Sequence, residues 1–361
     1  VTHSILQKPL NYAAAWHGAD MMARDDWRFR FTANDIAEIE AAMSSLNIDT
    51  TDLQQIDRQN FKLPNLAPRL DNILKDIEEG RGFVLAQGLP VTRWGEDYTR
   101  QVLWGLGCHL GWAEGQDRDG RLIHDVRDIG QKFGANDTIR YFQTNQAIEF
   151  HNDGADIFAL LCVRAGRKGG HSQLVSAVQV FNTITERRPD LARVLQEDFH
   201  VDARGQHVGG LRCQVIPIFS YLDGHLNVLL KSAYIHSAQR FDDVPGLSDA
   251  QHEALEMLDS VMNEPGVSMQ FDLVPGDILI ASNHSLLHGR TAFDDTEDES
   301  ESDHDSGSAS DSENPDSNAG RHMLRLWLTI PNGHSLPPHY ANTREFAATY
   351  ERRIKNNPIW D

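Results

Sequence analysis

The chain is poor in cysteine: of its 361 residues only Cys108, Cys162 and Cys213 carry thiols. An odd number with no CxxC pair excludes a disulfide framework and a cysteine zinc site, and leaves three small hydrophobes expected in the interior. Long apolar runs are missing as well. No stretch approaches the roughly 20 residues that span a bilayer, and "VTHSILQKPLNYAAAWHG" lacks the basic-then-apolar order of a signal peptide. A membrane is therefore not an expected partner, and the cytoplasm is the expected location. Positive charge is scarce too: 33 Lys and Arg against 53 Asp and Glu give a net charge of -20. That argues against nucleic acid as a partner, because phosphates demand a basic surface.

What is present is enough apolar residue, 40% of the chain, for one sizeable core. The acidic excess is local. Residues 294–320, "DDTEDESESDHDSGSASDSENPDSNAG", hold eleven Asp and Glu and no Lys or Arg. Such a segment cannot bury apolar surface, which predicts a disordered, solvated loop inserted into a folded domain that resumes at "RHMLRLWLTI".

Residues 32–46 place Ile36, Ile39, Met43 and Leu46 on one helical face behind a cap at Thr32 or Asn34. A second helix runs through "LAPRLDNILKDIEEG" to Gly80, and "GFVLAQGLP" reads as a buried strand. Residues 96–111 are helical and end in "GLGCHLG"; a dinucleotide fingerprint needs a strand before its glycines and a helix after, and the order here is reversed. From residue 141 strand-like runs predominate: "FALLCVRA", "SQLVSA", "RCQVIPIFSYL", "HLNVLLKSAYI", "VSMQFDLV", "DILIAS" and "HMLRLWLTI". Helices at 177–195 and after Ser248 interrupt them. This pattern predicts an antiparallel barrel or sandwich buttressed by helices.

"EFHNDGAD" sets His151 and Asp153 two apart, a spacing that on a strand directs both to one face and toward a shared ion. The spacing alone decides little, since His200-Val201-Asp202 repeats it. Context separates them: His200 leads into the polar "ARGQHVGG" and reads as a surface connection, whereas His151 precedes "IFALLCVRAG" and "RKGGHSQLVSA", a strand, turn and strand. A third ligand could come from His284 or His288 of "ILIASNHSLLHGRTAF". Two imidazoles and a carboxylate suit iron or a similar divalent ion and leave positions open for substrate chemistry.

"HND" followed by "GGHS", then "SNHSLLHGRTAF" and "GRHMLRLWL", resembles the TauD/TfdA (taurine dioxygenase-like) family of iron(II)- and 2-oxoglutarate-dependent oxygenases, in the right order and over residues from about 80 to 335. The resemblance implies an α+β, mainly β fold: a double-stranded β-helix (jelly-roll, cupin-like, clavaminate synthase-like) core buttressed by helices. It implies His151, Asp153 and His288 as Fe(II) ligands, with His284 a nearby structural histidine. Arg321, assisted by Ser172, would hold the distal carboxylate of 2-oxoglutarate, and Arg325 would contact an acidic group of the substrate. With O2 as oxidant, an amino acid or other small carboxylate or sulfonate would be hydroxylated, desaturated or cyclised, with release of succinate and CO2.

The whole of 1–361 is then expected as a single oxygenase domain: a helical region at 1–80, the core at 81–335 carrying the 294–320 insert, and a tail at 336–361. Self-association into a homo-oligomer is compatible with this reading. Two rivals stand beside it: a cupin-like hydrolase or isomerase using the same ligands without 2-oxoglutarate, and a non-catalytic barrel that binds a partner. Asp156 is expected to serve a structural role, and Gly154 to let the chain bend just past the ligands.

Overall fold

Side chains of Ile157–Arg164 alternate between two buried surfaces: Phe158 and Cys162 enter one apolar cluster, while Ile157, Ala159, Leu161 and Val163 enter another. A strand buried on both faces belongs in the middle of a covered sheet. It lies between Ile278–Ser282 and His322–Thr329 in a seven-stranded sheet. Phe83–Gln87 and then Arg28–Arg30 extend one side, and Trp112–Ala113 and Ile123–Val126 both pair with His322–Thr329 on the other. Only Arg28–Arg30 and Phe83–Gln87 run parallel. The computed structural model describes residues 5–46, 48–50, 52–132, 140–205, 210–295 and 320–354.

A second, four-stranded antiparallel sheet is ordered Met269–Phe271, Ser172–Ser176, Leu286–Arg290, Ile148–His151. Its Leu174, Met269, Phe271 and Leu286 share one buried cluster with Phe83, Phe158, Leu279 and Trp327 of the larger sheet. The two sheets thus close on a common interior, the jelly-roll core expected from the sequence. Helices cover the outside. Ala33–Ser45, Ala67–Glu78 and Glu96–Leu110 bring Ile39, Leu70, Ile73 and Leu106 onto Ala159, Ile280 and Leu326 of the larger sheet. Ala177–Arg187 and Asp249–Met262 bring Phe181, Ile184 and Leu258 onto Val175 and Leu287 of the smaller.

Local signals fixed several boundaries. Thr32 caps the helix from Ala33 in a reciprocal box with Asp35, and Ser248 does the same with Gln251, satisfying orphan N–H groups of the first turn. In "GLGCHLG", a Cβ on Gly107 would lie 2.4 Å from Leu326 Cδ2; the glycine serves close helix-to-sheet packing.

Other expectations need correction. The helix at 177–195 is two, Ala177–Arg187 and Pro189–Val194, because proline lacks the N–H and cannot continue the first. "KSAYI" is helical from Ser232 rather than strand. His200-Val201-Asp202 is no surface connection: it lies in Asp198–Asp202, paired with Cys213–Pro217, and Asp202 is buried. Among the cysteines only Cys162 is fully buried.

Most of the 294–320 insert, from 296 to 319, lies outside the described residues. Its ends meet: Asp295 Oδ2 accepts the backbone N–H of Arg321 at 2.7 Å.

Candidate active site

The smaller sheet brings together residues far apart in sequence. His151, at the end of Ile148–His151, is the cross-strand partner of His288 in Leu286–Arg290, with ring centroids 4.3 Å apart. His151 Nδ1 donates to the Glu149 carbonyl at 2.8 Å, which leaves Nε2 as the lone-pair nitrogen. Phe158 of the opposite sheet lies 4.3 Å from the His288 ring. Asp153 follows two residues after His151, and ligand atoms of His151, Asp153 and His288 all lie within 4.8 Å of one another.

Two asparagines fix the loop that carries Asp153. Asn283 Oδ1 accepts the Asp153 N–H at 3.0 Å while its Nδ2 donates to the Gly154 carbonyl at 2.7 Å. Asn152 donates to the carbonyls of Val228 and Asn283 and accepts the Leu230 N–H. The chain bends over residues 154–156, as expected just past the ligands, and Gly154 is also required for close approach: a Cβ there would lie 2.6 Å from Trp327 Cζ3 and 2.7 Å from the Glu345 carbonyl oxygen. The left-handed residue is Ala155, at φ 59°.

The electrostatics suit a cation. Burial and the nearby Lys231 push His151 down to about 4, and burial with His151 holds His288 well below its ordinary value, so both imidazoles are neutral. Burial pushes the Asp153 carboxyl up, but the charges around it, Arg325 foremost, outweigh it and hold it well below the usual carboxylate range. Two neutral nitrogens and one ionised oxygen form a donor set for iron(II) or a similar ion that leaves coordination positions for other ligands. A second group, Glu96, Asp125 and His322, also lies within metal-binding distance. There Arg100 already bonds Asp125 at 2.6 Å and Arg164 sits 3.6 Å from Glu96.

The same cavity is lined by Ser172, Arg290, Arg321 and Arg325. Arg321 is buried, and its Nη1 has no hydrogen-bond partner. Arg290 is buried as well: its Nη2 donates to the carbonyls of Thr144 and Gln146, while Nε and Nη1 have no partner. Both guanidiniums stand over the Phe293 ring, at 4.6 Å for Arg290 and 5.5 Å for Arg321. Burial lowers Arg290 to about 9, with Arg321 adding to it, and burial lowers Arg321 to about 10; both remain cationic at neutral pH. Buried nitrogens without acceptors are costly, and a carboxylate would satisfy them.

Arg290 was missed in the sequence reading. The available signal was its place two residues after His288, which on a strand puts both on one face. Ser172 is the cross-strand partner of Arg290. Arg321 and Arg325 both line the cavity despite a register irregularity between His322 and Met323. Arg325 Nε donates to Gln116 Oε1 at 2.8 Å. His284 and Asp156 stand apart from the cluster: His284 Nε2 bonds Asp156 Oδ1 at 2.9 Å, and Asp156 Oδ2 accepts the Ile330 N–H and Arg353 Nη2.

The two-sheet core beside this cavity is the fold of iron(II)- and 2-oxoglutarate-dependent oxygenases. Residues 49–327 match the Taurine catabolism dioxygenase TauD, TfdA family, and the chain belongs to it. It is an Fe(II)/2-oxoglutarate-dependent dioxygenase using O2. It is 26% identical over 344 residues to FR-33289 synthase of Streptomyces rubellomurinus (strain ATCC 31215), covering 94% of this chain and 96% of that one. It is 29% identical over 178 residues to a uridine-5'-phosphate dioxygenase of a Streptomyces sp, covering 47% of this chain and 64% of the relative. Asparagine oxygenase in complex with Fe(II), 2S,3S-3-hydroxyasparagine and succinate superposes with a TM-score of 0.62 at 16% identity, over 84% of this chain and 94% of that one. The non-heme iron oxygenase OrfP with Fe and alpha-ketoglutaric acid does so at 0.57 and 16%, over the same shares. At these identities the structural likeness shows the fold alone. No helix among the described residues is long and apolar enough to cross a membrane.

Proposed function

We propose that this dioxygenase oxidises an unactivated C–H bond of a small substrate bearing an acidic group, an amino acid or an intermediate of specialised metabolism. The outcome is hydroxylation or a related desaturation or cyclisation. In the simplest case 2-oxoglutarate, O2 and R–H become succinate, CO2 and R–OH. The observation that carries the reading is the convergence on one cavity of the His151–Asp153–His288 set and the unpartnered Nη1 of Arg321. The hydroxyasparagine in the asparagine oxygenase complex supports an amino-acid-like substrate.

His151, Asp153 and His288 hold the iron, which when bound supplies the redox chemistry linking O2 to 2-oxoglutarate and substrate. Arg321 takes the far carboxylate of 2-oxoglutarate in a charge-assisted bond, Arg290 reinforces it, and Ser172 offers a hydroxyl from the facing strand. Arg325 orients the substrate's acidic group. Asn152 and Asn283 keep Asp153 in place, and Phe158, Leu279 and Trp327 line the cavity with apolar surface that excludes water. The buried clusters draw on residues from Leu6 to Phe346, which supports the whole chain as one oxygenase domain. A reducing cytoplasm suits its three free thiols.

The test is anaerobic addition of Fe(II) and 2-oxoglutarate to the full chain, watching for the visible charge-transfer band of the chelate. A screen of amino and organic acids for substrate-stimulated succinate release follows. A band and stimulated succinate are expected; neither appearing would overturn the reading.

A further inference from the structure

Besides Arg290 and Arg321, the cavity wall carries a second group of cations: Arg140, Lys231, Arg325 and Arg344. They arrive on four separate segments. Arg140 precedes the short turn Tyr141–Gln143 and Lys231 precedes Ser232–Ala238, whereas Arg325 lies inside His322–Thr329 and Arg344 follows Pro338–Asn342. Arg344 is their hub, lying close enough to disfavour the charge on each of the other three. Like charges gathered in one cavity wall repel one another, so the arrangement favours an anion.

The protein's own acids meet only part of that need. Asp153 faces Arg325 and Lys231 but belongs to the proposed metal set. Glu345 faces Lys231 while accepting from Gln214 Nε2 at 2.8 Å. Asp202 faces Arg140 while accepting from Ser237 Oγ at 2.5 Å and pairing with Arg240 at 3.1 Å, and Arg140 Nη2 itself donates to the neutral Arg204 carbonyl at 3.1 Å. Glu149 lines the cavity from an exposed position. The cosubstrate does not close the gap, because the charged groups acting on Arg290 and Arg321 belong to the other end of the cavity: Arg321, Asp128 and Asp295 for the first and Asp295 for the second.

A carboxylate presents two coplanar oxygens and one charge, which a single bidentate guanidinium satisfies. Cations converging from separate segments instead match three oxygens spread around a tetrahedron and carrying close to two charges. We infer that the substrate's acidic group is a tetrahedral dianion, a phosphonate or a phosphate monoester, seated by Arg140, Lys231 and Arg344, with the Tyr234 hydroxyl alongside and Arg325 between that seat and Asp153. The inference rests on the cavity being the oxygenase active site, and it replaces the carboxylate-or-sulfonate expectation drawn from the sequence with a phosphoryl group.

The test uses the full chain loaded anaerobically with Fe(II) and 2-oxoglutarate, titrated calorimetrically with four probes of similar length: 2-aminoethylphosphonate, O-phosphoethanolamine, taurine and β-alanine. At least one phosphoryl probe is expected to bind about ten-fold or more tighter than the sulfonate and the carboxylate, a difference of about 1.4 kcal/mol. Comparing the first two probes separates phosphonate from phosphate ester. Arg344→Gln and Lys231→Met are each expected to remove most of that preference, while the visible band of the 2-oxoglutarate chelate keeps its midpoint and shows that the variant is folded. Phosphoryl probes that bind no tighter than taurine and β-alanine, with the band intact, overturn the inference and leave the oxygenase reading standing. So does a preference that survives both substitutions. Loss of the band in the unsubstituted protein overturns the oxygenase reading itself.

Discussion

Arg325 donates from Nη1 to both carboxylate oxygens of Asp153, at 3.0 Å each. Both side chains are buried, so each neutralises a charge that water cannot reach. Removing one partner of such a pair costs about 3–5 kcal/mol, because the other is left uncompensated. Arg325→Met is therefore expected to destabilise the metal-free protein by that amount in denaturant titrations, and a divalent ion on Asp153 to restore a large part of it. An equal loss with and without metal would assign Arg325 to packing between Phe142 and Trp327, whose rings it also covers.

The Arg290–Arg321 pair makes a second prediction. A charge-assisted hydrogen bond contributes about 1.5–3 kcal/mol, so Arg321→Met and Arg290→Met should each weaken 2-oxoglutarate binding about 10- to 100-fold. Titration of the chelate band in each variant measures this. A neutral Arg290→Met beside a damaging Arg321→Met would leave Arg321 alone in the role.

Asn283 touches no reactant, yet it fixes the backbone on either side of the Asp153 side chain. Asn283→Ala should lower metal affinity about 10- to 100-fold with a milder loss of stability. Competition with a coloured chelator reads the first and thermal unfolding the second. Unchanged metal affinity would show that Asn152 suffices.

Stability should also depend on pH. Burial, with Arg325 nearby, lowers His124 to about 4 against the opposing pull of Asp117, and burial lowers His109. The unfolded chain takes up these protons below about 6.5, whereas the folded chain takes up the His124 proton only near 4 and the His109 proton at a lower pH than an exposed imidazole. The stability these groups confer is thus complete above about 6.5 and lost as pH falls toward 4. Melting temperatures in the presence of chelator should decline across that window, and less steeply in His124→Gln. A decline confined to below pH 4 would assign the effect to carboxylates instead.

The sequence was most informative where period and punctuation agreed. Thr32 and Ser248 cap helices as expected, and the apolar runs around Phe158, Leu279 and Leu326 are the central strands. The His151–Asp153 spacing was legible as a possibility, and the family resemblance chose His288. What stayed hidden was Leu286–Arg290 as a strand, because "LLHGR" is short and carries a glycine and two polar residues with no alternation to read. With that strand unseen, the cross-strand placement of His288 opposite His151, and of Arg290 opposite Ser172, could not be read. Asp202 shows the reverse error: a polar strand was taken for a connection because its partner, Cys213–Pro217, lies beyond a glycine-rich stretch.

Deleting residues 296–318 should leave 2-oxoglutarate binding and succinate release unchanged, measured as above; loss of turnover in a folded deletion would give the insert an active part.

The hydrogen bond from the Arg321 backbone to Asp295 bears on how this enzyme can change. The residue that opens the insert clasps the one that closes it, so the position of Arg321 is set at the clasp, whatever length of chain runs between. Lengthening a loop costs only about 0.6 kcal/mol per doubling. The insert is thus a socket in the scaffold: new sequence, a reporter or an affinity handle can be plugged in there without retuning the chemistry a few residues away.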